Sequence, residues 1–335
     1  MNKRKAINLA VNTMKSLLLP ILIFVAFAIL TGGRSATSRM FLTTARQSVA
    51  PALICWGIML NMTVGMINFS AGATVIMSAI IGGNLALMTG TGIPGLAFFT
   101  ILVGIIAGIF TGVLYIKMRV PAMVLTIGLM LVFEAFPRII FSGGISIPGR
   151  MTTLALSPWC FIIVGVMLAV FYVLYNLTAF GHNLRAIGAN QAISDSAGIN
   201  SDKGKLISFV IGGLFLGVAA VVYISANGEI RPAAAMSSMQ VMMDAFMGMF
   251  LSMFISRYCN LAFAVPISVL TMKMITNGFV SLGMSATVRD ITSGLILLVL
   301  LTISANQGLF GKIKANRTFA QEANEAYTKR GMPAS

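Results

Sequence analysis

The sequence predicts an all-α, polytopic membrane protein with about ten transmembrane helices. Three observations carry that expectation. Of 335 residues, 58% are hydrophobic and only 9% are charged, with a mean hydropathy of +0.94, whereas soluble domains carry about 25% charged residues. Apolar runs recur from Leu17 to Asn306, each near the roughly 20 residues a helix needs to cross about 30 Å of hydrocarbon. The two-residue alternation of a membrane β-barrel strand is absent from those runs, which leaves helices as the spanning element.

The first run, 16–31, follows the basic residues Lys3, Arg4, Lys5 and Lys15. It ends in Gly32, Gly33 and Arg34 rather than a small-x-small cleavage site, so a retained span is expected rather than a removed signal peptide. Runs at 48–66 and 72–89 flank the stretch "GMINFSAG", which breaks the apolar pattern. Runs at 95–115 and 121–137 flank Lys117 and Arg119, and a sixth lies at 158–176. After a polar segment, 177–205, come runs at 206–226, 240–255, 261–279 and 289–307. The expected organisation is a single transmembrane domain over 1–311, with a polar, mixed-charge tail at 312–335.

An even number of spans puts both ends of the chain on one side. With the N-terminus inside, fifteen of the 23 Lys and Arg residues fall in cytoplasmic segments. Seven (Arg34, Arg39, Arg46, Arg138, Arg150, Arg231 and Arg289) fall outside, and Lys273 lies within a span. That imbalance follows the positive-inside tendency, although the three arginines of the first outer loop run against it. The net charge of +15 is therefore distributed at the ends of spans, which argues against nucleic acid as a partner and for membrane lipid. Cys55, Cys160 and Cys259 form no C-x-x-C pair, so neither a zinc site nor a disulfide framework is indicated.

The polar stretch "GHNLRAIGANQAISDSAGIN" (Gly181–Asn200) suits short amphipathic turns. Leu184, Ile187, Ala192, Ile193 and Ala197 fall largely on one side, with Arg185, Asn190, Gln191 and Asp195 elsewhere. Gly181, Gly188 and Gly198 are expected to permit sharp changes of direction. The result is a helix-turn-helix lying below the membrane, open to a partner; an ordinary solvated loop is the other reading. "GINSDKGKL" and "GLFGKI" both miss the P-loop spacing, so nucleotide chemistry must come from another chain.

The same stretch resembles the cytoplasmic coupling segment of the ribose-type permeases of bacterial ABC importers, whose pattern runs G-x-x-x-x-A-x-G-x-N-x-x-A-A-x-x-x-G-I. Gly181, Ala186, Gly188, Asn190, Gly198 and Ile199 match it and Ala197 does so in part, while Ile193 and Ser194 replace the small pair. "RQSVAPALICWGIMLNMTVGMINFSAGATVIMSA" is similar to the family's second and third spans, "VPAMVLTIGLMLVFEAFPRIIFSGG" to its fifth, and "MKMITNGFVSLGMS" to its ninth. Two departures stand out. Asn68 replaces an aspartate of the family pattern, and "GMFLSMFISRYCN" keeps only Gly248 where the family is glycine-rich. The resemblance implies a type II-like ABC importer permease fold in the bacterial inner membrane, importing a sugar or related polar solute. It implies cytoplasmic ABC ATPase subunits that bind the ATP, a second permease subunit, identical or paralogous, and a periplasmic solute-binding protein. The permease itself has no cofactor and no catalytic residue, and its coupling residues would be Gly181, Arg185, Ala186, Gly188, Asn190, Asp195 and Gly198.

A polar solute asks for hydroxyl and amide partners and an aromatic face in a largely apolar cavity. Asn61, Asn68, Ser70, Phe133, Thr276 and Asn277 are the candidates nearest the matching motifs. Glu134 and Asp244 join them, because an ionisable group in a span is costly and faces protein or water. Glu134 has Arg138 one turn on, so an i to i+4 pair is its other explanation. Asp244 also suits a helix–helix contact, and Lys273 either pairs with it or snorkels. A solute path between the third and the ninth or tenth spans, beside the breaks "GMINFSAG" and "NGFVSLGMS", follows from the rule that irregular backbone at membrane depth lines a cavity or is buried. The methionines are expected to be adaptable core filler, and His182, the only histidine, a solvated one. An ion-coupled transporter, which would normally place carboxylates in broken helices, and a non-transporting scaffold are the alternative functions; an intramembrane enzyme lacks the acid-base parts.

Overall fold

The computed structural model describes residues 18, 20–33 and 37–305. The basic N-terminal group and the expected tail at 312–335 lie outside them. The order is α1 (Pro20–Leu30), α2 (Ser38–Gln47), α3 (Val49–Thr63), α4 (Ala71–Met88), α5 (Gly92–Met118), α6 (Ala122–Ile140), β1 (Ile145–Ser146) and α7 (Trp159–Tyr172). A π-helical turn, Val173–Leu177, extends α7. Then follow α8 (Ala179–Ala189), α9 (Gln191–Ser196), α10 (Ser201–Asn227), β2 (Glu229–Ile230), α11 (Met239–Ile255) and α12 (Leu261–Ser281). The chain forms two compact units, Met1–Ser285 and Ala286–Ser335; in the second, α13 (Ala286–Ala305) is a helix of 20 residues.

Each apolar run falls on a helix, the first and last only in part because they extend beyond the described residues. Among the described residues six helices are long and apolar enough to cross a membrane: α4, α5, α6, α7 with its π turn, α10 and α12. α1 and α11 are apolar but shorter, and α3, at 15 residues, is shorter too.

Helices α3 and α4 and most of α10 lack a polar face, and such helices are stable only when surrounded. They form the interior, where Leu53, Trp56, Ile58, Ile80, Phe215 and Ala220 are fully or almost fully buried. Trp56 stacks on Phe171 at 5.9 Å and donates its indole N–H to the Ala262 carbonyl at 3.3 Å. Outside this core, α5, α6 and α7 turn apolar side chains outward. Ile106 is 55% exposed, Val124 64%, Ile139 81% and Val166 56%, a surface suited to lipid rather than water.

Among the described helices α5 and α10 pack against each other most extensively, and glycines let their backbones approach. A Cβ on Gly104 would lie 2.5 Å from the Gly213 carbonyl oxygen, and one on Gly108 2.4 Å from that of Phe209. Spacing glycines every fourth residue lets backbones touch where no hydrophobic drive exists between helices and lipid.

Connections alternate between two ends of the first unit. At one, Phe69 N–H donates to Thr126 Oγ1 at 3.1 Å, Asn176 and Asn260 exchange amide hydrogen bonds at 3.2 and 3.0 Å, and Lys205 reaches Gln191 at 2.9 Å. At the other, Arg46 donates to the Ala155 carbonyl, Asn84 to that of Gly144, and β1 pairs antiparallel with β2, Ile145 opposite Ile230. The second end holds one surprise: α11 does not begin at its rim. From β2, residues 231–238 run inward along α6 until the Ser238 carbonyl meets Gly72 in the first turn of α4, where a Cβ would lie 2.2 Å from it.

Candidate functional site

At the first end, α8 and α9 form a hairpin built from side-chain caps. Thr178 Oγ1 accepts the Gly181 N–H to start α8, and Asn190 Oδ1 accepts the Ile193 N–H at 3.1 Å to start α9. Asn200 Oδ1 accepts the Lys203 N–H at 2.9 Å and starts α10. Each acceptor satisfies a donor that a helix N-terminus leaves free. Asp195 ties the hairpin to α10, its Oδ1 accepting the Ser201 N–H at 3.2 Å and the Ser201 hydroxyl at 2.6 Å. The Ser201 hydroxyl bond is the largest cause of an Asp195 carboxyl held below its ordinary value.

The glycines here do something other than turn the chain. Only Gly198 has a positive φ, +84°. Gly181 and Gly188 lie inside α8, where a Cβ would sit 2.1 Å from the Tyr175 carbonyl oxygen and 1.8 Å from that of Thr63. Close approach of α8 to the π turn and to α3 is what demands them. The expected single apolar side is also split. Leu184 and Ile187 are buried inward, while Ala192, Ile193 and Ala197 face out, Ile193 at 65% exposure. Arg185 donates to the Gly181 carbonyl and lies 5.2 Å from the Tyr175 ring centroid; Ala186, beside it, is half-buried. His182 is exposed, its Nδ1 2.8 Å from the Thr178 carbonyl. An open recess of about 430 Å³ lies beside the hairpin, bounded by Gln191, Asp195, Gly198 and Asp202.

The interior candidates do not converge on one place. Asn68 Oδ1 accepts from the Ser70 N–H at 3.1 Å and hydroxyl at 2.7 Å, so these two organise the α3–α4 break. Asn61 Oδ1 accepts from Ser208, joining α3 to α10. Phe133 packs in a buried cluster with Ala73, Met77, Leu129 and Met130. Thr276 donates to its own helix at Met272, and Asn277 ties α12 to Thr44 and Gln47 of α2. The break expected at "NGFVSLGMS" comes later than its asparagine: α12 continues to Ser281, and the left-handed turn is at Gly283, φ +77°. Helix α11 packs against both α4 and α12.

Glu134 and Arg138 do not pair. Buried Glu134 accepts the Met236 N–H at 3.0 Å on Oε2 and the Ser238 N–H at 2.9 Å on Oε1, while Arg138 donates to the Ala233 carbonyl at 2.7 Å. Backbone donors at the start of α11 satisfy both oxygens and face the positive end of that helix, which favours an anion there. The clamp holds Ala235 and Met236, both non-glycine residues at positive φ (51° and 66°), a conformation that persists only when its surroundings enforce it. Asp244 and Lys273, by contrast, do pair, at 2.5 Å. Among the described residues no cysteine is in a disulfide, Cys55 and Cys160 are buried, and Met242, Met247 and Met249 fill the core.

Two features were not anticipated. The α5–α10 contact, where Gly104 meets Gly213 and Gly217 and Gly108 meets Phe209 and Gly213, had a signal in the four-residue spacing of Gly104, Gly108 and Gly112. The inward segment 231–238 had no comparable mark, only Pro232 and three alanines.

The family described as "Branched-chain amino acid transport system / permease component" matches residues 40–302. The chain is also similar to the "Autoinducer 2 import system permease protein LsrC" of Yersinia pseudotuberculosis serotype O:1b (strain IP 31758) and of Yersinia pestis (strain Pestoides F). Each is 29% identical over 187 residues, 53% of this chain and 52% of the relative. The chain thus spans about half the length of the curated relatives it matches. No solved structure matches it.

Proposed function

Because the chain belongs to the family of branched-chain amino acid transport system permease components, we propose that it is the membrane subunit of an ATP-driven importer of a sugar-like polar solute. The family and the import permeases among its relatives support that reading. So does the hairpin α8–α9: it is capped, hydrogen-bonded to α10, seated on α3 through Gly188, and turned outward at Ile193. A rigid arm that turns Ile193 outward, with Ala192 and Ala197 beside it among polar side chains, is suited to being gripped. Separate cytoplasmic ATPases hold it, and their closure on ATP swings the bundle between outward-open and inward-open states, since differential contact at the arm biases the equilibrium.

In this reading the hairpin end is cytoplasmic, ten helices cross the inner membrane, and a second permease subunit and a periplasmic solute-binding protein complete the importer. The whole chain from 1 to 311 acts as one permease domain, with 177–205 as its coupling segment. The solute passes beside α11, between α4 and α12. Ile193→Asp is the direct test. The variant is expected to reach the membrane at the wild-type level yet fail to co-purify with the ATPase subunits, because a carboxylate at the centre of the contact is desolvated without a partner. Undiminished co-purification overturns the hairpin's role.

A further inference from the structure

Lys205 carries a charge in an unfavourable place. It stands one turn into α10, beside the exposed Asp202 and Lys203, yet is itself only 9% exposed. The ion pairs among the described residues are Arg231–Glu229 and Lys273–Asp244, so no carboxylate there pairs with Lys205. A lysine this near a helix end ordinarily snorkels into water, and an unpaired charge taken out of water is a cost to folding. The ammonium turns to Gln191 and Tyr115 instead. Nζ donates to Gln191 Oε1 on α9 at 2.9 Å and lies 5.7 Å from the centroid of the Tyr115 ring on α5, within the range of cation–ring attraction. The Lys205 carbonyl accepts the Ser208 hydroxyl at 2.7 Å, and that hydroxyl also lies 3.0 Å from Asn61 Oδ1 on α3. Tyr115 packs in turn on Phe209, at 5.9 Å between centroids, and against a buried cluster that includes Met77 of α4 and Leu129, Met130 and Phe133 of α6. A side chain that costs stability thus joins the arm to α5.

We infer that Lys205 is a positioning residue of the transport cycle: through Gln191 and Tyr115 it ties the arm to α5, and through the Tyr115 cluster to α4 and α6, so that both strokes of the arm reach those helices. The contact of Gly188 with Thr63 is packing, which resists compression alone. A hydrogen bond and a cation–ring attraction also resist separation, as a return stroke requires, and the rotatable donors of an ammonium keep the bond while the arm turns. Burial keeps Lys205 off the surface that an ATPase grips, so it acts through the arm. Helix α6 also carries Glu134 and Arg138, which hold the segment 231–238, so that segment lies on the same route. This inference rests on the importer reading above and concerns how its stroke is transmitted.

The test reads the segment 231–238 in the purified permease–ATPase complex. Ala233→Cys, in a Cys259→Ser background, reports through its rate of labelling by a charged methanethiosulfonate; Ala233 is buried and its carbonyl is held by Arg138. With Lys205 intact, ATP and vanadate are expected to change that rate. Lys205→Met is expected to abolish the change while ATPase co-purification and ATP hydrolysis persist. Because methionine replaces an unpaired charge by an apolar chain of similar length, the thermal midpoint is expected to hold or rise. An undiminished change in Lys205→Met overturns the inference, as does a rate indifferent to nucleotide with Lys205 intact. Lost ATPase co-purification in Lys205→Met puts the residue in the grip itself and overturns it too. Should Lys205→Met unfold earlier, Tyr115 decides: Tyr115→Phe keeps the ring face and is expected to keep the nucleotide response, Tyr115→Leu to lose it, and equal behaviour of the two overturns the inference. Failure of the importer reading shows separately, as no ATPase bound to the chain with Lys205 intact.

Discussion

Replacing Glu134 by glutamine leaves one acceptor oxygen where two are in use, because Met236 and Ser238 each donate to a different oxygen. A buried N–H left without a partner costs about 1–3 kcal/mol, so Glu134→Gln is expected to lower the thermal stability of the detergent-purified protein, and Glu134→Ala to lower it further. An unchanged midpoint in both contradicts the clamp. Asp195 gives a pH signature. Its folded carboxyl titrates below the ordinary 3.8, chiefly because the Ser201 hydroxyl donates to it. The Asp195–Ser201 link is therefore at full strength above that value and lost as pH falls through the lowered one. Protection of the Ser201 amide, relative to Asp195→Ala, should converge on that of the variant in acid and exceed it near neutrality. Neither carboxylate's role was legible in advance. Glu134 was given a neighbour on its own helix, but its partners lie 102 and 104 residues away, and sequence spacing carries no information on backbone donors from a distant loop.

The helices themselves were legible, because a bilayer permits only segments that satisfy their own backbone, and such segments must be long and apolar. What spacing cannot give is which faces meet. The glycines of α5 and α10 decide one such contact, and a side chain there must push the backbones apart. Gly108→Leu is expected to destabilise by about 1–3 kcal/mol, the usual cost of overpacking. Gly165→Leu on α7, with nothing within 4 Å of its Cβ position, should be close to neutral. Equal effects of the two in thermal unfolding would remove the close approach from the explanation of how the bundle holds together. The hairpin illustrates the same limit in reverse: its polar composition and caps at Asn190 and Asn200 were visible, but its glycines were assigned to turning when Gly181 and Gly188 serve docking. That difference depends on Thr63 and Tyr175, which only the folded arrangement brings near.

Taken together, the molecule places a polar, capped arm at one end, an inward-running segment held by Glu134 and Arg138 toward the other, and an ion pair, Asp244 with Lys273, that joins α11 to α12. In the proposed mechanism a push on α8 would reach α3 through the Gly188–Thr63 contact and α10 through the bond between Asp195 and Ser201. Both of these helices belong to the buried core, so motion at the arm has a route inward. Everything in this mechanism requires the arm to face the compartment that holds ATP. Ile193→Cys, probed with a membrane-impermeant thiol reagent in a Cys259→Ser background, tests that directly. Labelling in inside-out membrane vesicles, blocked when the ATPase subunits are bound, is the predicted result; labelling from the outside of intact cells would contradict it.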